Sequence, residues 1–446
     1  MKPFKPQEFF ATSWTWDDPR CRERILRLLA GFGKSTADLQ VIEEADLDGL
    51  IRRKNWLDVW RRQGTVSGVG DPDLVFNSFR WHGSAGQAAL RERLPILGEG
   101  QGFASSLLHA LYGYPTFQHF EDGNRKRQIR DDCCWSLHDL HTGWGCFHKC
   151  QYCSRGRVAT VMLNVEEWLE RVDGLLDANP WQKVIRFDTE CDCLVLEPEY
   201  GACADLVNHF ATKEDRYIIL FSKSDNVDFL LDLDHCGHTI MLWTLSTPTV
   251  SRAIEVDTAT TEQRIEAARK CQEAGYPVRF KFKPIVPIRG WREEATRTLE
   301  LLFDAVKPDN LSMEMLFFRS VEELTTMFDM ALFEPEFVQM MKEHEAAGGM
   351  ADPYKVIPPD FRVEVYEYYA REVQRLSPET PLSLCSESHA VWKKMIPLLG
   401  QTPGNFICNC GPACIPHLPA CSMGYAEDFK PFVVTEPQNG IERNSE

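Results

Sequence analysis

The stretch Cys134-Trp135-Ser136-Leu137-His138-Asp139-Leu140, followed four residues later by Gly145-Cys146-Phe147-His148-Lys149-Cys150-Gln151-Tyr152-Cys153-Ser154, decides the fold and points to the chemistry. The first part reads as a β-strand. The second delivers three cysteines, spaced C-x3-C-x2-C, just beyond that strand's end. Iron–sulfur clusters normally take a thiolate on every iron. Three thiolates on a four-iron cluster leave one iron open, where a small molecule can chelate and receive an electron. A structural zinc site is the competing reading, but zinc asks for four ligands, generally in two separated pairs. This triplet has no second pair at the expected distance.

Outward from the triplet, β-branched and aromatic runs alternate with amphipathic segments, the pattern of parallel strands joined by helical crossovers. Strands are predicted at Val184 to Cys191, Tyr217 to Ser222, Thr239 to Ser246, Val278 to Ile285 and Leu311 to Phe317. Helices are predicted at Val165 to Leu176, Asn226 to Leu231, Thr261 to Ala274 and Arg292 to Val306. With the strand before the triplet this gives about six strand–helix units, hence an α/β chain with a partial (β/α)6 TIM-type barrel and N-terminal and C-terminal extensions, its chemistry at the C-terminal ends of the strands. The expected division is 1–130, a mixed N-terminal region; 131–320, the core barrel; and 321–446, a C-terminal region with a cysteine-rich tail. In the first region a helix is predicted at Arg22 to Ala30, and the Gly-rich stretch from Gly64 to Gly102 reads as loops with short helices. In the third, helices at Glu336 to Ala347 and Phe361 to Arg375 lead to a short strand, Leu382 to Cys385.

A chain of 446 residues with 43% hydrophobic and 11% aromatic content can bury a large core. Its formal charge of -17 repels phosphate backbones at long range, so a nucleic-acid substrate needs a local basic patch. One candidate patch is Arg125, Lys126, Arg127 and Arg130; another is Arg279, Lys281 and Lys283, alternating with Phe280 and Phe282. Each also reads as solvated surface. Met1 to Phe10 contains no apolar core of a signal peptide, and no apolar run reaches the ~18 residues of a membrane span. The sixteen cysteines then fit a reducing cytoplasm better than a disulfide framework. Trp56 to Trp60 reads as core rather than as a platform for stacking bases.

The triplet, with an aromatic Tyr152 before its last cysteine, resembles the signature of the radical S-adenosylmethionine (SAM) superfamily. That resemblance implies a four-iron four-sulfur cluster on Cys146, Cys150 and Cys153, SAM on the open iron, cleavage of SAM to a 5'-deoxyadenosyl radical, and an electron donor such as flavodoxin or ferredoxin. Further stretches resemble the spore photoproduct lyase family, which repairs a methylene-bridged thymine dimer in DNA: Cys133 to Cys146, Arg186 to Cys191, Ser222-Lys223, Arg264 to Tyr276, Lys283 to Trp291 and Leu384 to Glu387. The resemblance implies that Cys191 returns a hydrogen atom to the product radical, that Tyr152 belongs to the hydrogen-transfer relay, and that Lys223 and Thr244 contact SAM. As bare sequence, Cys191 also reads as a core cysteine, Lys223 as a solvated strand end and Thr244 as an ordinary β-branched strand residue. Two positions depart from the family: Ser154 stands where the lyases carry a relay tyrosine, and Cys193 where they carry serine.

The expected function is therefore a radical SAM enzyme similar to spore photoproduct lyase, acting on a pyrimidine in nucleic acid. A radical SAM enzyme for a small metabolite or peptide and a non-catalytic iron–sulfur protein are the alternatives. Near the C-terminus, Cys408, Cys410 and Cys414, with Cys385 or Cys421, form a candidate second metal site, although their spacing matches neither a zinc nor a ferredoxin pattern. The competing reading is a flexible tail with free thiols. His138, His141 and His148, beside the triplet, read as solvent-facing or hydrogen-bonded residues.

Overall fold

The computed structural model describes residues 4–58, 70–81, 84–153, 155, 157–316, 320–348 and 356–418. Its strands, in chain order, are β1 (Phe9–Thr12), β2 (Leu39–Ile42), β3 (Asp73–Asn77), β4 (Gln118–Glu121), β5 (Asp132–Cys133), β6 (Leu137–Leu140), β7 (Gly143–Trp144), β8 (Lys149–Cys150) and β9 (Val158–Met162). They continue as β10 (Val184–Phe187), β11 (Tyr217–Ser222), β12 (Thr239–Leu245), β13 (Glu255–Val256), β14 (Val278–Ile285), β15 (Leu311–Met315), β16 (Leu382–Leu384) and β17 (Glu387–Ser388).

The larger sheet has the order β16-β15-β14-β12-β11-β10-β6-β4. Every pairing in it is parallel except β4 on β6. Its parallel strands run as the apolar sequences that a sheet covered on both faces requires; all seven residues of β12 are buried. Crossover helices supply the cover. Val165–Ala178 turns Val165, Trp168, Val172, Leu175 and Leu176 inward at helical spacing, and Thr261–Glu273 starts on a capping box in which Thr260 and Gln263 satisfy each other's backbone N–H. β4 and β16 are the edges of this sheet, and no pairing among the described residues closes it into a barrel. The chain is thus a mixed α/β fold built on parallel sheets.

A second sheet, β2-β1-β3-β9-β7, is parallel apart from β7 on β9. It draws β1, β2 and β3 from the N-terminal region and β7 and β9 from either side of the cysteine triplet. This corrects the loop reading of Gly64 to Gly102, since β3 is a fully buried central strand. Its pairing partners lie far away in the chain, so local periodicity carried no sign of it. The strand expected at Val184 to Cys191 stops at Phe187, where Asp188 adopts a left-handed φ of 50° and turns the chain. The helix expected at Asn226 to Leu231 is a single 3-10 turn, Asp228–Leu230. Phe317, the expected end of β15, lies outside the described residues.

Of the basic stretch on β14, Lys283 alone reaches the surface. Arg279 is fully buried and Lys281 nearly so, because they alternate onto the inner face of the strand. Arg279 grips the C-terminal segment, donating to the Asn409 carbonyl at 2.8 Å and the Cys414 carbonyl at 2.7 Å. The Pro412 carbonyl accepts from the N–H groups of Lys183 at 2.7 Å and Val184 at 2.9 Å. The segment around Cys408 to Cys414 therefore plugs the amino-terminal end of the sheet and leaves the opposite, carboxyl end to the triplet. Trp56 is core, as expected, with its indole N–H on Asp73 Oδ2 at 2.8 Å; Trp60 lies outside the described residues.

Candidate active site at the strand ends

Cys146, Cys150 and Cys153 sit on the segment linking β7 to β9. Two backbone devices hold that segment. Gly145 has a φ of +89°, and a Cβ there would run into the Val158 carbonyl and come within 2.9 Å of Ala159 Cα, so only glycine fits. Cys150 lies on β8, which pairs antiparallel with β13 and sets Cys150 opposite Glu255. Cys146 and Cys150 are buried and Cys153 half-buried, close enough to feel one another's charge: burial raises the Cys150 pKa, Lys223 opposes it, and Cys153 and Cys146 add to the rise.

Cys191 follows β10 and meets Cys146 thiol to thiol. Its S–H has the Asp192 carbonyl at 3.6 Å, and its closeness to Cys146, against the effect of burial and with His148 nearby, lowers the Cys146 pKa to about 6. The same closeness, with burial, pushes the Cys191 thiol well up. Cys191 is therefore held as a thiol and Cys146 leans toward thiolate.

Two carboxylates anchor the surrounding loops. Asp192 accepts from Ser222 Oγ at 2.8 Å, from the Lys223 N–H at 2.7 Å and from the Leu194 N–H at 3.1 Å. His148 Nε2 lies 3.1 Å from Asp192 Oδ2, the oxygen that also takes the Lys223 N–H, and His148 Nδ1 lies 2.7 Å from the Asp257 carbonyl. Burial disfavours the His148 charge, but Asp192 and Cys146 overcome it and raise the pKa. Burial likewise opposes charge on Asp192, yet His148 and the converging donors lower its pKa. Glu255 is fully buried and gathers Lys223 Nζ at 2.9 Å, Arg264 Nη2 at 2.6 Å, Ser246 Oγ at 2.8 Å and the Tyr152 hydroxyl. Desolvation works against that carboxylate, but Lys223 and Arg264 hold it far below the usual carboxylate range.

The structure therefore brings together Cys146, Cys150, Cys153, Cys191, Tyr152 and Lys223. Thr244 lies inside β12, one residue before its end and buried, with its carbonyl accepting from Arg264 Nη1 at 2.8 Å. Ser154 lies outside the described residues. His138, His141 and His148 are all buried rather than solvent-facing. Glu255 and Asp192 carried no motif in the sequence, and Arg264, His141 and Asp188 lay within the family-like stretches without a role assigned to them.

Among the described residues, no three His, Cys, Asp or Glu side chains are arranged as a metal centre. The donor set at the triplet nevertheless fits a three-thiolate cluster, since three soft ligands share one short segment, one already leans toward thiolate, and Lys223 offers a compensating charge. Among the described residues, the structure gives no support for the second site expected of the tail thiols. Cys408 bridges Cys410 and Cys414 by S–H hydrogen bonds, and all three are buried, not a flexible tail. Lys281 Nζ lies 3.4 Å from Cys385 Sγ and 4.0 Å from Cys410 Sγ. Arg186 Nη1 lies 3.9 Å from Cys410 Sγ. The sulfurs are thus spent on cations and on one another; Cys421 lies outside the described residues.

A family model for spore photoproduct lyase matches residues 138–330. Among curated proteins, spore photoproduct lyase of Bacillus subtilis (strain 168) is 30% identical over 182 residues, 39% of this chain and 52% of the relative. That of Clostridium acetobutylicum is 23% identical over 179 residues, 39% of this chain and 53% of the relative. The chain spans about half the length of the curated relatives it matches. Among solved structures, a spore photoproduct lyase variant with bound AdoMet and dinucleoside spore photoproduct aligns with a TM-score of 0.55 at 14% identity, over 86% of this chain and 99% of that one. Another variant aligns with a TM-score of 0.57 at the same identity and coverage. These structures share the mixed α/β fold, and the resemblance to the radical SAM, spore photoproduct lyase-like family holds over residues 138–330.

Proposed function

We propose that this chain is a radical SAM enzyme of the lyase type that acts on a pyrimidine lesion in nucleic acid. The observation that carries the reading is the contact between Cys146 and Cys191. It sets a candidate cluster ligand beside a thiol at the carboxyl end of a parallel sheet, the end where such sheets bind ligands. Cys146, Cys150 and Cys153 would hold a four-iron four-sulfur cluster. When bound, that cluster together with SAM supplies an electron and a hydrogen-abstracting radical.

The chain's own residues do the rest. Lys223 presents its ammonium beside the triplet and offers a partner for a carboxylate of SAM, while Thr244 is the second proposed SAM contact. Asp192 fixes the Ser222-Lys223 turn through the Lys223 N–H at 2.7 Å, so that ammonium has a fixed origin. Cys191, kept as a neutral thiol, is the proposed hydrogen-atom donor to the product. Tyr152, tied to Glu255, packs with Lys223 5.8 Å from its ring centroid and borders the site. Cys146, Cys150, Asp192 and Thr244 are buried and Lys223, Tyr152 and Cys191 half-buried, which limits water at the reacting atoms. The finer architecture we propose is that the open sheet curves as a partial barrel, the core of residues 131–320, around this end. A reduced flavodoxin or ferredoxin is the proposed electron source.

One observation favours a smaller substrate. The formal charge is -17, and Arg279 and Lys281 are buried, which removes one of the two basic patches a nucleic acid would use. Anaerobic reconstitution with iron and sulfide, followed by incubation with SAM, reductant and dinucleoside spore photoproduct, tests the reading. Two thymidines should form from each lesion, since the dinucleoside carries no phosphate to join them. SAM cleavage without repair would turn the reading toward a small metabolite or peptide, and no cleavage at all toward a non-catalytic iron–sulfur protein.

A further inference from the structure

We propose that His141, oriented by Asp188, is a positioning residue that accepts a hydrogen bond from the imide N–H of the substrate pyrimidine; this rests on the lesion reading above. His141 follows β6 and is 2% exposed. Its Nδ1 lies 3.5 Å from Asp188 Oδ1. Both ring nitrogens and Asp188 Oδ1 are buried with no hydrogen-bond partner among the described residues, so the 3.5 Å approach is a charge contact and Nε2 has no neighbour of its own to bond.

Asp188 is built for the task. It follows β10 with a left-handed φ of 50°, a conformation that a non-glycine residue rarely holds without a reason. Its Oδ2 accepts from the Gly143 N–H at 3.0 Å and the Thr142 N–H at 3.4 Å, which pins the carboxylate to the loop that His141 begins. The remaining oxygen faces the imidazole. A carboxylate facing Nδ1 favours the proton on that nitrogen and so leaves the Nε2 lone pair as the acceptor, the arrangement by which a group beside one ring nitrogen biases the role of the other.

The dyad borders the proposed chemistry. A Cβ on Gly143 would lie 3.0 Å from Cys191 Cβ, 3.2 Å from Asp188 Oδ2 and 3.5 Å from Cys191 Sγ, so Asp188 and Cys191 flank one glycine. A buried acceptor without a partner is unfavourable unless a ligand supplies the donor. A pyrimidine imide has such a donor, made strong by the carbonyl on each side. Phosphate and sugar oxygens without a proton do not.

The test compares binding of dinucleoside spore photoproduct with that of its N3-methylated form, using the full-length reconstituted protein. One hydrogen bond to a buried acceptor predicts a preference of roughly tenfold for the unmethylated ligand. His141→Phe should abolish the preference, His141→Gln should retain part of it through its amide oxygen, and Asp188→Asn should weaken it. Nitrogen-15 NMR of His141 in the wild type needs no variant and should show Nδ1 protonated and Nε2 bare. Equal affinity for the two ligands, or a proton on Nε2, overturns the inference while leaving the lesion reading standing. Failure of both ligands to bind overturns the lesion reading and the inference with it.

Discussion

Lys223 Nζ stands 2.9 Å from Glu255 Oε1, and Arg264 Nη2 takes the other carboxylate oxygen at 2.6 Å. Glu255 lies on β13, whose pairing with β8 sets it opposite Cys150, so this one carboxylate joins the triplet, the β11 turn and the helix that starts at Thr261. Two cations buried around one anion make the hub sensitive to loss of the anion. Removing one partner leaves the others uncompensated, which typically costs about 3–5 kcal/mol.

Glu255→Gln is therefore expected to lose about 3–5 kcal/mol in urea unfolding at neutral pH. The pH dependence has a definite sign. The folded carboxyl is held below its unfolded value, so the stability it contributes is present above the ordinary carboxylate range and is lost as pH falls through the folded pKa. Glu255→Gln should remove that acid-side loss, and an unchanged acid profile would count against the hub.

The triplet and Cys191 should separate cleanly on substitution. Replacing Cys146, Cys150 or Cys153 by alanine should reduce iron bound after reconstitution to background, because each removes one of three thiolates. Cys191→Ala should keep the iron and SAM cleavage, yet fail to return hydrogen to the product. Iron analysis with product analysis checks both; iron loss in Cys191→Ala would make it a ligand rather than a donor.

Glu197 gives a prediction of opposite sign. Burial raises its pKa to about 7, although the N–H groups of Gly201 and Cys203, at 2.8 Å each, act to lower it. A carboxyl whose folded pKa is raised binds more protons folded than unfolded between the ordinary carboxylate pKa and about 7, so stability falls as pH rises through that window. Glu197→Gln should flatten this fall in thermal unfolding followed from pH 4.5 to 7.5. The same slope in the variant would assign it to other groups.

Much of this was legible because the relevant signals are local. Tyr217 to Ser222 and Val278 to Ile285 are strands with the boundaries their apolar runs predict, and the triplet's spacing alone sets its three cysteines on one short segment between β7 and β9. What was not legible depends on contacts distant in sequence. β3 becomes a strand because β1 and β9 flank it. Glu255 becomes a hub because a two-residue pairing carries it to Cys150. Lys281 reads as a surface cation until β14 is seen with the C-terminal segment across its inner face, where Cys385 and Cys410 lie beside it.

Lys281 supplies the sharpest contrast with Glu255. Its ammonium is almost fully buried, and Cys385 Sγ at 3.4 Å and Cys410 Sγ at 4.0 Å are the hydrogen-bond acceptors the structure gives it. A thiol is a weak acceptor, so this charge is poorly compensated unless the sulfurs ionise. Burial raises the Cys385 pKa and Lys281 opposes that rise. Lys281→Met keeps the volume and deletes the charge. Its thermal stability should be equal to or above that of wild type, since replacing a poorly paired buried charge by an apolar side chain is neutral or stabilising. The Cys385 thiol should then titrate at higher pH, read from the pH dependence of its alkylation by peptide mass spectrometry. A large loss of stability would mean that Lys281 meets a firm anion, and an unmoved Cys385 profile would mean that the ammonium does not act on that sulfur.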